Sequence, residues 1–332
     1  MLNIAVIGGG YIAQNHIEAI KKIEIANLAA VIDVNSDVGT SVAKKYGCRY
    51  FSNLQEADAA VPIDVVELCV PTFLHEKLCL EAAKAKHHVF CEKPVTFTLD
   101  SFDRMLAACR ENGVHFMVGQ VVRWWPEYIR FRKEITDGTI GDLRMIYEKR
   151  LCQHPQWSKW HTDPAKSGGG LYDLNIHDID YLYSLFGKPK TVYATGWKSE
   201  TGCWNHVITS LTWSDNIKAV VETSMSMTGN WPFSLELRAT GSAGTLSYQL
   251  DAGVNINDGE QKSRMNWYPA GSDAIYPVAV QQDDMFEMEL REFYESILED
   301  REPAVRYEEN RGVLEVILAT KTSLEENRVV VL

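Results

Sequence analysis

No apolar run in the 332-residue chain reaches the roughly 18 residues that a membrane span requires. The first residues, MLNIAVIGGG, read as a strand of a folded domain rather than a leader, so a cytoplasmic protein is expected. Basic clusters are missing too: 33 Lys and Arg against 45 Asp and Glu leave a formal charge of −12. That balance disfavours nucleic acid and anionic membranes and suits small neutral or weakly charged partners. The seven cysteines, at positions 48, 69, 79, 91, 109, 152 and 203, form no CxxC pair. Their scatter speaks for a reducing compartment and against a disulfide framework or structural zinc. No metal-ligand cluster, internal repeat, low-complexity tract or long linker is apparent.

What remains is globular in composition, 45% hydrophobic and 23% charged, and long enough for two domains. Leu2 to Ile7 is a short apolar run of the buried-strand type. It leads into Gly8-Gly9-Gly10-Tyr11-Ile12-Ala13, a G-x-G-x-x-A match, then a helical pattern, then a second apolar run from Leu28 to Ile32 closed by Asp33. Gly8 permits the tight turn, Gly10 lets the backbone approach a pyrophosphate, and Ala13 permits close packing of helix on strand. The helix N-terminus at Tyr11 and Ile12 supplies N–H donors. This order of strand, glycines, helix, strand and acid predicts dinucleotide binding. Asp33 suits the ribose hydroxyls of NAD, and Val34 and Asn35 bring no cation to meet the 2′-phosphate of NADP. NAD is therefore the expected cofactor.

Strand and helix patterns keep alternating to Val118, which predicts a doubly wound parallel sheet and a dinucleotide-binding domain over residues 1–120. Ligands bind beyond the C-terminal strand ends of such sheets. Three segments there stand out: Val70-Pro71-Thr72-Phe73-Leu74-His75, Glu92-Lys93-Pro94 and Gly119-Gln120. Lys93 directly follows a buried strand, where the nicotinamide is expected.

A second chemical signal lies in Ser167 to Gly187, SGGGLYDLNIHDIDYLYSLFG. After the glycines the pattern is helical and largely apolar, with Asp173, His177, Asp180 and Ser184 on one narrow stripe at about 100° per residue. A carboxylate and an imidazole four residues apart on such a stripe are candidates for acid–base work.

Together these motifs resemble the Gfo/Idh/MocA family of NAD(P)-dependent oxidoreductases. The match comprises the glycine fingerprint, Pro71-x-x-x-His75, Glu92-Lys93-Pro94 and Gly169-Gly170-Leu171-x-Asp173-x-x-x-His177-Asp178-x-Asp180. The resemblance implies that Lys93 bonds the reactive hydroxyl and the nicotinamide ribose, that Asp173 positions the substrate and that His177 is the general acid/base. It also implies that Val70, Pro71, Thr72, His75, Glu92 and Gln120 line the nicotinamide half of the cofactor site. Thr72 stands where many members carry Asn.

Residues 121–332 are read as a substrate-binding and oligomerisation domain. Arg123 is either a substrate contact or half of a salt bridge; of Trp157 and Trp160 in the loop before the Ser167 stretch, Trp160 is a candidate wall for a sugar ring or else core packing. Period-two patterning from about Thr191 to Leu250, with a turn at Ser214-Asp215-Asn216, predicts a large antiparallel sheet. The resemblance implies a homodimer or homotetramer through its open face. The expected fold is thus α/β: a Rossmann domain followed by an α+β domain. The expected activity is hydride transfer between NAD and a secondary hydroxyl of a sugar, sugar derivative or inositol, with no metal. Two alternatives are a redox-neutral glycosidase or epimerase using bound NAD, and a non-catalytic NAD or metabolite sensor.

Overall fold

The computed structural model describes residues 1–154, 160–214, 217–254 and 261–332. Among these, no helix is long and apolar enough to cross a membrane, and all seven cysteines are free.

The chain divides into two compact units, one of residues 1–124 and 283–311, the other of residues 125–282 and 312–332. The first boundary falls four residues later than the sequence pattern suggested. The return of residues 283–311 to the first unit is a correction to the two-block reading. Its physical reason is apolar: Leu290, Phe293 and Tyr294 are buried in one core with Ile4, Ile17 and Phe90.

The first unit builds a six-stranded parallel sheet in the order β3-β2-β1-β4-β5-β6. Its elements run β1 (Leu2–Ile7), α1 (Tyr11–Ile20), β2 (Ala26–Ile32), α2 (Ser36–Tyr46), β3 (Arg49–Phe51), α3 (Leu54–Asp58), β4 (Val65–Leu68), α4 (His75–Lys84), β5 (His88–Glu92), α5 (Leu99–Asn112) and β6 (Phe116–Gly119). Every residue of β4 and β6 is buried, as expected of strands covered on both faces. Local chemistry sets the helix ends. Asn35 and Thr98 accept amide hydrogen bonds as N-caps, and Gly47 and Gly113 close α2 and α5 at φ 77° and 68°.

In the second unit α6 (Pro126–Thr136), β7 (Leu143–Gln153), α7 (Pro164–Ser167), α8 (Gly170–Asp173) and α9 (Asn175–Phe186) precede a run of strands. These are β8 (Thr191–Lys198), β9 (Trp204–Thr212), β10 (Lys218–Met227), β11 (Ser234–Gly241), β12 (Gly244–Asp251), β13 (Lys262–Pro269) and β14 (Tyr276–Pro277). Helix α10 (Met285–Leu298) belongs to the first unit, α11 (Tyr307–Glu326) runs from the first into the second, and β15 (Val330–Val331) ends the chain. The nine-stranded sheet has the order β14-β13-β12-β11-β7-β10-β9-β8-β15 and is antiparallel except for the parallel pair β7 and β10. The charged residues in LRMIYEKRLCQ hid β7 from the sequence pattern. Met145, Tyr193, Trp197, Ile208 and Tyr268 are exposed, and the strand registers put them on one face. Trp157, Asp215 and Asn216 lie outside the described residues.

Candidate functional site

In the first unit the glycine turn is built as its sequence requires. Gly8 sits at φ +107°, and a Cβ there would stand 2.2 Å from the Cys69 carbonyl oxygen at the end of β4. Around Gly10 a Cβ would meet nothing within 4 Å, so the turn opens outward there. Gly10 is the N-cap of α1 and no side chain caps that end, while Ala13 is fully buried. Tyr11 is half exposed beside it. Gly8→Ala is expected to strain the turn by about 1–3 kcal/mol and to weaken NADH binding. Fluorescence titration of NADH checks this, and unchanged affinity would contradict the role given to the turn.

Asp33 is fixed through both carboxylate oxygens: the Gly9 amide donates to Oδ2 at 2.8 Å and the Asn35 amide to Oδ1 at 2.7 Å. Tyr50 donates its hydroxyl to the Asp33 carbonyl at 3.1 Å. Val34, next in the chain, is almost fully exposed.

At the ends of β4 and β5 the predicted residues gather, with different duties. Thr72 is buried; Val70, Pro71 and Lys93 keep partial exposure. His75 is fully buried, with Nε2 2.9 Å from the Val70 carbonyl oxygen and Nδ1 3.1 Å from those of Pro94 and Val95. Burial lowers its pKa, against the pull of these carbonyls, and the ring lies between the loop after β4 and the loop after β5. The Glu92 carboxylate is likewise buried and accepts from the Lys93 amide at 3.0 Å. Gln120 is buried and donates to Asn310 at 3.2 Å. Arg123 bonds Glu309 at 2.5 Å. Burial pushes the Glu309 carboxyl up, and the Arg123 and Arg306 guanidiniums more than offset this, leaving it below the usual range. Of the two roles read for Arg123, the salt bridge is therefore present.

In the second unit the Ser167 stretch folds differently from a single helix. The chain breaks at Leu174 (φ −109°, ψ −48°), which ends α8 and opens α9. Asp173 and His177 thus belong to consecutive helices. The glycines permit the approach to β9: Gly168 and Gly169 have φ +70° and +74°, and a Cβ on Gly169 would stand 2.6 Å from the Cys203 side chain. Gly170 donates its amide to Asn205 at 3.0 Å. Three buried contacts hold α9. Arg150 of β7 bonds Asp178 at 2.6 Å and reaches the Tyr128 hydroxyl at 3.0 Å. Asn175 donates to Thr223 at 3.2 Å, and the Tyr181 hydroxyl to the Tyr128 carbonyl at 2.9 Å.

Against this packing one pattern stands out. From Gly169 to Leu182 every residue is buried except Asp173 and His177. Asp180, which shares their predicted stripe, is fully buried. The Asp173 carboxylate lies 3.9 Å from His161 Nε2, and the His161 ring stacks on Trp160 at 4.0 Å between centroids. Sequence spacing does not single out His161, because its loop carries no periodic signal. Cys152 feels the same carboxylate: burial first, and Asp173 second, push its thiol up to about 12.

Among known proteins, residues 2–120 match the model of an oxidoreductase family with an NAD-binding Rossmann fold. Residues 128–247 match that of the GFO/IDH/MocA C-terminal domain. A myo-inositol 2-dehydrogenase of Thermotoga maritima is 28% identical, over 98% of this chain and 97% of the relative. A 2,7-anhydro-N-acetylneuraminate hydratase of Escherichia coli is 31% identical over 59% of this chain and 53% of the relative. Against four curated relatives of this group the chain spans about half to two thirds of their length. In fold, the aldose-aldose oxidoreductase of Caulobacter crescentus superposes with a TM-score of 0.87 at 24% identity, over 100% of this chain and 99% of that one.

Proposed function

The chain belongs to the Gfo/Idh/MocA family of oxidoreductases, and from that premise we propose that it transfers a hydride between NAD and a secondary hydroxyl of a sugar, sugar derivative or inositol. The observation that carries this reading is the access left to Asp173 and His177 in a stretch otherwise buried. Alcohol oxidation sends a hydride from carbon to the nicotinamide and a proton from oxygen to a base. An imidazole, with an ordinary pKa of ~6.5, suits the base, and a neighbouring carboxylate favours its protonated form. In this reading His177 takes the proton, Asp173 orients the substrate, and the Lys93 ammonium stabilises the developing alkoxide. Tyr11, Ile12, Val70, Pro71, Thr72 and Gln120 border the cofactor, and Trp160 with His161 borders the substrate.

NAD is the proposed cofactor because Asp33, held by two backbone amides, would face the 2′-phosphate of NADP. At about 4 Å that repulsion is of order 1–4 kcal/mol, so NAD is expected to be preferred by roughly tenfold or more. Asp33→Ala narrows the ratio. Equal catalytic efficiency of the unaltered protein with both cofactors would reject the assignment. The exposed large side chains Met145, Tyr193, Trp197, Ile208 and Tyr268, set among polar residues on one face of the nine-stranded sheet, support a homo-oligomer.

One relative favours a second reading. A hydratase adds water without net redox change, so its name fits chemistry in which bound NAD is reduced and reoxidised within each turnover. NADH formation against a panel of inositols, aldoses, sugar acids and amino sugars separates the two. Accumulating NADH supports the dehydrogenase, and product formation without NADH supports the redox-neutral enzyme.

A further inference from the structure

Behind Lys93 lies a buried polar chain for which neither the glycine turn nor the proposed acid–base pair accounts. His16 of α1 is fully buried, with Nδ1 2.9 Å from Glu67 Oε2 and Nε2 2.9 Å from Glu92 Oε1. The other Glu67 oxygen accepts from the Tyr294 hydroxyl of α10. The other Glu92 oxygen accepts from the Lys93 amide at 3.0 Å. Four elements of the first unit, α1, β4, β5 and α10, thus meet through one imidazole.

We propose that His16 is a positioning residue for Lys93, acting through Glu92 as the centre of the buried chain Tyr294–Glu67–His16–Glu92. The proposal rests on the reading of Lys93 as the group that stabilises the alkoxide. Carboxylate oxygens only accept, so a ring between two of them needs an N–H at both nitrogens or a proton on one carboxyl. Burial by itself lowers the His16 pKa; Cys69, Glu67 and Glu92 together outweigh it and leave the ring well above its ordinary value. An imidazolium then donates in both directions and leaves Glu92 one oxygen for Lys93. Such a chain fixes the loop through the orientation of a single carboxylate, and a satisfied buried network has one low-energy arrangement.

His16, Glu67 and Cys69 also present potential ligand atoms within 4.8 Å of one another. Burial pushes the Cys69 thiol up to about 11, and the ring nitrogens are already engaged by Glu67 and Glu92. A hydrogen-bond chain, rather than a metal site, uses both ring nitrogens.

Glu92→Gln tests the idea, because an amide cannot accept from both His16 and Lys93 while its NH₂ faces a donor. Imidazole ¹⁵N spectra of the unaltered protein, assigned with His16→Gln, are expected to show both ring nitrogens protonated into mildly alkaline pH. In Glu92→Gln, acylation of the Lys93 amine, followed by mass spectrometry, is expected to speed up severalfold relative to the other lysines. With any panel substrate, kcat falls about tenfold or more while NADH affinity stays within threefold. No further loss appears in a Lys93→Ala background. Tyr294→Phe, which loosens only the far end, shows the same pattern with smaller amplitude and serves if the Glu92 variant does not fold.

Unchanged Lys93 acylation in a folded variant overturns the proposal. So does an equal loss of kcat with and without Lys93, and so does zinc retained stoichiometrically through dialysis. If Lys93→Ala turns over at the unaltered rate, the reading of Lys93 fails instead, and the acylation arm still decides whether Glu92 positions it.

Discussion

Replacing His177 with alanine is expected to lower turnover by about 10² to 10⁴ while NAD affinity stays nearly unchanged, the range a positioned general acid/base contributes. The size of the effect follows from where the residue sits. Its neighbours Ile176 and Asp178 are buried and its helix is pinned by Asp178, Asn175 and Tyr181, so the ring has little freedom to be replaced by a neighbour. His161 lies 3.9 Å from the Asp173 carboxylate. Steady-state kinetics with NADH titration in parallel checks the prediction. A fully active alanine variant would remove His177 from the chemistry.

Arg150→Ala is expected to cost about 3–5 kcal/mol of stability, because it leaves the Asp178 carboxylate buried without its partner. Arg150 gives that carboxylate three hydrogen bonds, from Nε to both oxygens and from Nη2 to one. Nearby, burial first and the Asp178 charge second hold the Glu148 carboxyl well above its usual range. Losing the guanidinium leaves two buried carboxyl groups sharing the site without a cation. For a unit of this size the loss corresponds to roughly 6–20 °C in Tm, measurable by calorimetry. Since Asp178 follows His177 directly, turnover should fall as well. A melting temperature unmoved by the substitution would show that the pair does not hold α9.

Much of this was legible from spacing. The first unit could be read nearly strand by strand because parallel strands covered on both faces are continuous apolar runs, and because Gly8, Asn35, Thr98 and Gly113 carry turn and cap chemistry at fixed offsets. Short β3 and α3 escaped because three to five residues carry little periodic signal. Strand β7 escaped because Glu148 and Arg150, at its buried positions, look like surface residues until Asp178 is seen beside them. The same limit applies to the site. Asp173 and His177 stood out as a pair, but the break at Leu174 carries no proline or glycine to announce it. Nor does any local pattern join His16, Glu67, Glu92 and Tyr294, which lie far apart in the chain; only the fold brings those four together.

The most direct test of the account follows the hydride itself. The purified protein, given NAD and panel polyols or sugars deuterated at their secondary carbons, is expected to deliver deuterium to the nicotinamide ring, and the His177→Ala variant to do so far more slowly. Mass spectrometry of the recovered cofactor reads the transfer when NADH accumulates, and acid-free rapid quenching during turnover captures the transient deuterated NADH when it is consumed. Cofactor that binds yet never acquires deuterium, from any member of the panel, would contradict hydride transfer as the function of this chain.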